Sequence, residues 1–348
     1  MGIGEIAGLS AAMLWAFSSL LYAETKLTAW GMNFSKIAIA VVILFVQIVM
    51  LAVWNETAVL TATRADWKWL GLSGLIGLTI GDTFYFRSLQ ILGARRCLIV
   101  TTTAPVFAAL LGWLWLGEVL IWLSVVGIAM TLAGIMWVIL DGDGKNEEPG
   151  YYPGSQRVGI AYGVASSLCQ AVGLATSKVG METIGPLEGT FIRMFLGGLF
   201  ALCVVAGKRQ LTATISQVAR AEVLRKFLPA VVCGTWLGVW FSQIAAKETE
   251  VGIAQTLLAT CPLFAIPMVR MKYGTKITPA AVVGSIVAVV GICLIVLPDR
   301  TDPSKQEDAQ PAASHVRWEV PPAKRTAQHK SAGQGAADGL QPGGFPQL

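Results

Sequence analysis

Histidine is almost missing from this chain: two in 348 residues, His315 and His329, both in the polar segment that ends it. The apolar body therefore holds no imidazole, the commonest general base and a frequent metal ligand. Charge is scarce as well. Asp, Glu, Lys and Arg make up 14% of the residues, where a soluble domain carries roughly 25%. Six cysteines, at 97, 169, 203, 233, 261 and 293, fall inside apolar runs without a CxxC pair. They read as small buried hydrophobes, not as metal ligands or disulfides. No nucleotide-binding loop, carboxylate pair or metal-ligand spacing is present, so no cofactor or metal is expected. The net charge of +5 is modest and gives no reason to expect a nucleic-acid partner.

What the chain does have is hydrophobicity, with 54% apolar residues and a mean hydropathy of +0.62. Apolar runs of about 20 residues recur along it, each able to cross roughly 30 Å of hydrocarbon as a helix. Ten are expected, at about 3–22, 34–54, 70–90, 97–116, 120–140, 158–177, 187–206, 227–246, 251–271 and 279–297. The first has no basic residue before it and no clear small-residue cleavage site after it, so it reads as a retained span. The composition predicts an all-α, multi-pass protein of the plasma or inner cell membrane, with the lipid bilayer as its surroundings. Residues 142–157, rich in Gly, Pro and acid, read as a linker between residues 1–141 and 158–297. Residues 298–348 are polar and cannot bury enough apolar area to offset the entropy of ordering, which predicts a disordered tail.

The two halves repeat. An offset of 157 residues carries Gly77 onto Gly234, Gly81 onto Gly238, Phe84 onto Phe241 and Pro105 onto Pro262. The same offset carries Gly127 onto Gly284, Gly134 onto Gly291 and Lys36 onto Arg193. Five spans per half is an odd number, so the halves enter the membrane in opposite directions. Inverted five-helix repeats are an architecture of secondary transporters, with a substrate site near the midplane where the halves meet.

The stretch SLQILGARRCLIVTTTAPVFAALLGWLWLGEVLIWLSVVGIAMTLAGI, residues 88–135, resembles the EamA-type repeat of the drug/metabolite transporter superfamily. The features that carry the likeness are Ala104-Pro105-Val106-Phe107, then Leu116-Gly117-Glu118, then the glycines of the fifth span. The second copy keeps Pro262 and both glycines but has Tyr273-Gly274-Thr275 where the first has Leu-Gly-Glu. The resemblance covers residues 1–297 and implies transport of a small molecule and both termini in the cytoplasm; the missing histidines and the lack of an interfacial cluster of acid and nucleophile speak against an enzyme. The basic residues argue the other way: Arg95, Arg96, Arg157, Lys208, Arg209 and others crowd the odd-numbered loops, which the positive-inside rule places in the cytoplasm.

Asp82 lies near the middle of the third run. A central aspartate costs roughly 2.5–3.5 kcal/mol to insert, so it faces protein or a watered cavity. Helical spacing sets Thr79, Asp82, Thr83 and Phe86 on one face. Asp82 then reads either as a cavity carboxylate that takes up a proton or cation, or as the structural partner of Arg87, Lys36 or Arg193. Lys36 and Arg193, equivalent in the repeat, suit pairing with an acid or facing an anionic substrate group. Trp15, Ser18 and Tyr22 on span one, Gln170 on span six, and Trp236, Trp240 and Gln243 on span eight are further candidates to clasp a solute. Mid-membrane Ser and Gln also serve as helix-to-helix hydrogen bonds. Pro105 and Pro262 are expected to kink their spans. The glycine pairs of spans five and ten mark close helix contact, within the scaffold or toward a second copy in a homodimer. The sequence thus predicts a secondary active transporter of a small organic metabolite or drug-like solute, working by alternating access and coupled to a proton or counter-substrate gradient. The competing readings are a membrane enzyme acting on lipid and a non-transporting sensor or scaffold.

Overall fold

A computed structural model of the chain describes residues 2–25, 27–56, 59–115, 122–140, 155–249, 251–273 and 278–296. The tail, most of the linker and the Leu116-Gly117-Glu118 stretch lie outside them. Among the described residues every regular element is helical. The medium explains this: hydrocarbon offers no water to backbone N–H and C=O groups, so an apolar segment must satisfy them within itself. Among the described residues, six helices are long and apolar enough to cross a membrane by length and composition: Ile3–Ala23, Ala29–Asn55, Gln156–Val179, Pro186–Gly207, Ala221–Glu248 and Ala254–Lys272. The other expected runs fall on shorter apolar helices, such as Arg96–Leu111, or on a helix of mixed geometry.

In the first half, α1 (Ile3–Ala23) leads by a short turn to α2 (Ala29–Asn55), which Thr28 caps by accepting from the Gly31 N–H at 3.1 Å. After α3 (Arg64–Ser73) the helix widens into a π-helical segment (Gly74–Gly81) and tightens again as α4 (Asp82–Thr101). Within α4 the backbone leaves the helix at Gly93, whose φ of 78° suits a residue without Cβ. A gap at Thr102-Thr103 precedes α5 (Ala104–Trp115) and then α6 (Trp122–Leu140). The second half runs through α7 (Gln156–Val179), α8 (Pro186–Gly207), α9 (Leu211–Val218), α10 (Ala221–Ala230) and a second π-helical segment (Val231–Leu237). It continues as α11 (Gly238–Glu248), α12 (Val251–Leu258), a gap at Ala259-Thr260, α13 (Cys261–Tyr273) and α14 (Pro279–Val296).

The offset of 157 seen in the sequence carries irregularities onto irregularities. It takes α3 onto α10, the first π-helical segment onto the second, and the gap at 102–103 onto that at 259–260. Packing is reciprocal too: the first π-helical segment lies against α7 and α8, the second against α1 and α2. Glycine permits this. A Cβ on Gly74 would collide with the Arg193 carbonyl oxygen, and one on Gly77 would stand 3.4 Å from the Gly173 Cα. Helices α6 and α14 also cross on glycine: a Cβ at Gly134 would be 2.6 Å from the Gly284 oxygen, and one at Gly291 would be 2.6 Å from the Gly127 oxygen.

The prolines depart from expectation. Pro105 and Pro262 are the second residues of α5 and α13, immediately after the two gaps, so each starts a helix and does not bend a continuous one. First-turn N–H groups have no helical acceptor, so proline forfeits nothing there. The consequence is a pair of interrupted spans at equivalent places.

Polar ties join the halves away from the cavity as well. Glu24 pairs with Lys226 at 2.7 Å and with Lys272 at 2.5 Å. Glu188 accepts from the Thr61 N–H at 2.6 Å and the Ala62 N–H at 2.8 Å. Asp66, in the first turn of α3, accepts at 2.8 Å from the Thr63 N–H, the Thr63 hydroxyl and the Thr183 hydroxyl. Burial pushes the Asp66 carboxyl up, but these hydrogen bonds outweigh it and hold the group below its ordinary value of 3.8. Its contribution to stability is therefore complete above that value and lost as pH falls through the lowered one. Thr183→Val is expected to destabilise the protein by about 1 kcal/mol at neutral pH. Melting curves in detergent should show the gap to wild type narrowing in acid; a gap that widens there would remove the assignment.

Candidate functional site

The largest charged groups of the expected set converge on one cavity of about 130 Å³ between the two halves. Asp82, the first residue of α4, is 7% exposed, Lys36 of α2 is 6% and Arg193 of α8 is 2%. Lys36 Nζ donates to Asp82 Oδ2 at 2.5 Å, and Gln170 Nε2 of α7 donates to Asp82 Oδ1 at 2.6 Å. Of the three cations proposed as partners for Asp82, the ion pair goes to Lys36, while Arg87 is exposed on the far side of α4. Arg193 lines the same cavity and lies over Gly77, where a Cβ would be 2.7 Å from its Nη2. Breaking a buried pair such as Lys36–Asp82 by removing one member costs about 3–5 kcal/mol.

Aromatic rings form the apolar wall. Phe86, one turn beyond Asp82, holds Lys36 Nζ 5.0 Å from its ring centre, a cation–π contact. Tyr22 meets Phe86 edge-on at 5.3 Å and exchanges a 2.8 Å hydrogen bond between its hydroxyl and that of Thr235. Trp15 donates from Nε1 to the Gly234 carbonyl at 2.9 Å, taking up a backbone oxygen of the second π-helical segment. Ser18 and Gln170 also line the cavity. So do the two helix interruptions: Thr102 and Ala104 from one half, Ala259 and Cys261 from the other.

The remaining candidates lie elsewhere. Thr79 donates to the Gly197 carbonyl of α8 at 2.8 Å, tying the π-helical segment to that helix, and Thr83 donates to the Thr79 carbonyl at 2.6 Å. Trp236 donates to Gln47 Oε1 at 2.9 Å, and Trp240 packs on Phe241 at 5.9 Å. Gln243 is fully buried and neither amide atom has a hydrogen-bond partner, but it is not part of the cavity lining. Thr79 and Trp236 lie in the π-helical segments, where a stripe drawn at 3.6-residue spacing does not stay on one side, whereas Thr83, Trp240 and Gln243 belong to the α-helices that follow.

Contributors that were not among the expected residues include Asn33, Tyr85 and Thr235. Asn33 Nδ2 reaches the Leu78 carbonyl at 2.8 Å, the Thr79 carbonyl at 3.1 Å and Thr83 Oγ1 at 3.0 Å, holding the π-helical segment against α2. Its signal in the sequence is an amide three residues before Lys36, on the same helical face. Position 82 has Val239 as its repeat equivalent. The carboxylate thus belongs to one half only, while the cations at 36 and 193 belong to both.

Two helical repeats enclosing one buried, charged cavity, with interrupted helices at its wall, form the arrangement of a membrane transporter. The chain belongs to the EamA-like transporter family, which matches residues 2–140 and 157–297. It is 22% identical over 232 residues to the uncharacterized transporter YvbV of Bacillus subtilis, covering 67% of this chain and 72% of that one. It is 24% identical over 193 residues to the protein LicB of Haemophilus influenzae, covering 55% of this chain and 63% of that one. A solved crystal structure aligns with a TM-score of 0.60 at 17% identity, covering 85% of this chain and 97% of the other, which shows a shared fold.

Proposed function

We propose that this protein is a secondary active transporter of the plasma or inner cell membrane, with ten spans in two inverted five-helix halves. It moves a small organic solute by alternating access, coupled through Asp82 to a proton or counter-substrate gradient. The observation that carries this reading is the cavity itself. It is buried, lined from both halves, and holds an ion pair beside aromatic rings and two interrupted helices. Interrupted helices meeting at a midplane site recur in carriers, because freed backbone groups are tolerated only where they line a cavity. The ties around Glu24 and around Glu188 would open in alternation as the halves rock. Family membership and a relative named as a transporter point to transport, not to lipid enzymology.

The test is uptake by proteoliposomes holding the purified full chain, supplied with a panel of small labelled solutes under an imposed proton gradient or against preloaded counter-substrate. Accumulation of at least one solute above protein-free liposomes, collapsing with the gradient, is the expected result. Downhill equilibration that never depends on either gradient would overturn the coupling.

A further inference from the structure

The charge count of the cavity specifies the class of solute, an inference that rests on the transport reading above. Among the described residues, three charged side chains line the cavity: Lys36, Arg193 and Asp82, a net of one positive charge. Lys36 is committed to Asp82, whose second oxygen is committed to Gln170. Arg193 is buried, its Nε has no hydrogen-bond acceptor, and no ion pair is made to it among the described residues. The repeat explains why. Lys36 and Arg193 are equivalent, but the acid that neutralises the first has a valine, Val239, where the second would need one. A buried guanidinium without a counter-charge is costly, so the cavity stands one negative charge short.

The geometry points to a small organic monocarboxylate as the solute, its carboxylate on the Arg193 guanidinium and its apolar body against Phe86, Tyr22 and Leu174. The guanidinium fork matches planar oxyanions bidentately. A carboxylate supplies one negative charge and neutralises the cavity; a phosphate monoester brings about 1.5–2 and overshoots. Size agrees: a dry cavity of about 150 Å³ is known to hold benzene, and this one, of about 130 Å³, suits a body of one ring or a short aliphatic chain.

The test uses three probes of matched shape on the purified full chain in detergent: phenylacetate, phenylacetamide and phenethylammonium. Phenylacetate should raise the melting temperature and quench tryptophan fluorescence saturably, while the amide and the amine do neither. Arg193→Gln should weaken phenylacetate binding by about tenfold or more, with Arg193→Lys intermediate. Binding of the amine or amide as well as the acid, no binding of the acid, or full binding by a folded Arg193→Gln protein would each overturn the proposal. If Arg193→Gln does not fold, the three probes on wild type decide alone. Phenylacetate binding without flux in proteoliposomes would keep this assignment and remove the transport reading; gradient-driven flux of an amine or amide without binding of the acid would do the reverse.

Discussion

Asp82→Asn is expected to abolish gradient-driven accumulation while leaving the protein in the membrane and able to exchange solute downhill. The amide keeps the shape of the side chain and can still accept from Gln170, but it removes the one negative charge that, among the described residues, lines the cavity with Lys36 and Arg193. Two buried cations would then stand without a counter-charge, a loss of about 3–5 kcal/mol for the broken pair. Stability and coupling are therefore both affected, and a second variant separates them. In Asp82→Asn combined with Lys36→Met the pair is removed whole, and most of the lost stability should return because Lys36 is no longer orphaned; Arg193, which makes no ion pair among the described residues in the wild type either, remains. If Asp82 handles the coupling charge, the double variant is stable and still fails to accumulate solute. Restoration of both stability and accumulation would show that the carboxylate only balances Lys36. Melting temperature and proteoliposome uptake, read on the same preparations, give the answer.

The second large effect is expected at a residue with no side chain. Gly74→Ala places a Cβ inside the Arg193 carbonyl oxygen and 3.0 Å from the Gly197 N. Both are backbone atoms, so no rotamer change relieves the clash and α8 must move away, taking Arg193 with it. Overpacking of this kind costs about 1–3 kcal/mol, occasionally more, and here it also displaces a cation of the cavity. Loss of both melting temperature and solute binding is the expected outcome. Gly252→Ala is the matched control. Nothing lies within 4 Å of its added Cβ, and alanine is favoured over glycine in a helix by up to about 1 kcal/mol. Equal behaviour of the two variants would contradict the close crossing of α8 on the π-helical segment.

Much of the fold could be read from the sequence because the relevant signals are local. Runs of apolar residues mark helices in a medium that forbids unpaired backbone, and one offset aligns Gly77 with Gly234 and Lys36 with Arg193. The meeting of Lys36 and Arg193 is legible in the same offset, since equivalent residues of two halves face a shared centre, and the place of Asp82 in the cost of a mid-span carboxylate. The phase of the third and eighth spans is not. An extra residue per π-helical turn leaves no mark in hydropathy, so a 3.6-residue spacing sets Thr79 and Trp236 on a face that these segments do not keep. The prolines misled for a related reason. Pro105 signals either a bend or a start, and only the gap before it, with Thr102 and Thr103 closing back on Ile99 and Val100 through N–H groups at 3.1 and 3.2 Å, decides for the start.

That Asp82 faces Val239 across the repeat bears on how a duplicated carrier works. On the inverted arrangement proposed above, two identical halves would make the inward- and outward-facing forms equal in energy by construction. A carboxylate present in one half lifts that degeneracy, because rocking carries a single fixed charge through environments that are no longer interchangeable. The empty carrier then rests preferentially on one side, and half-saturating solute concentrations differ between the two faces. The final equilibrium across the membrane is untouched, since it is set by the gradients alone.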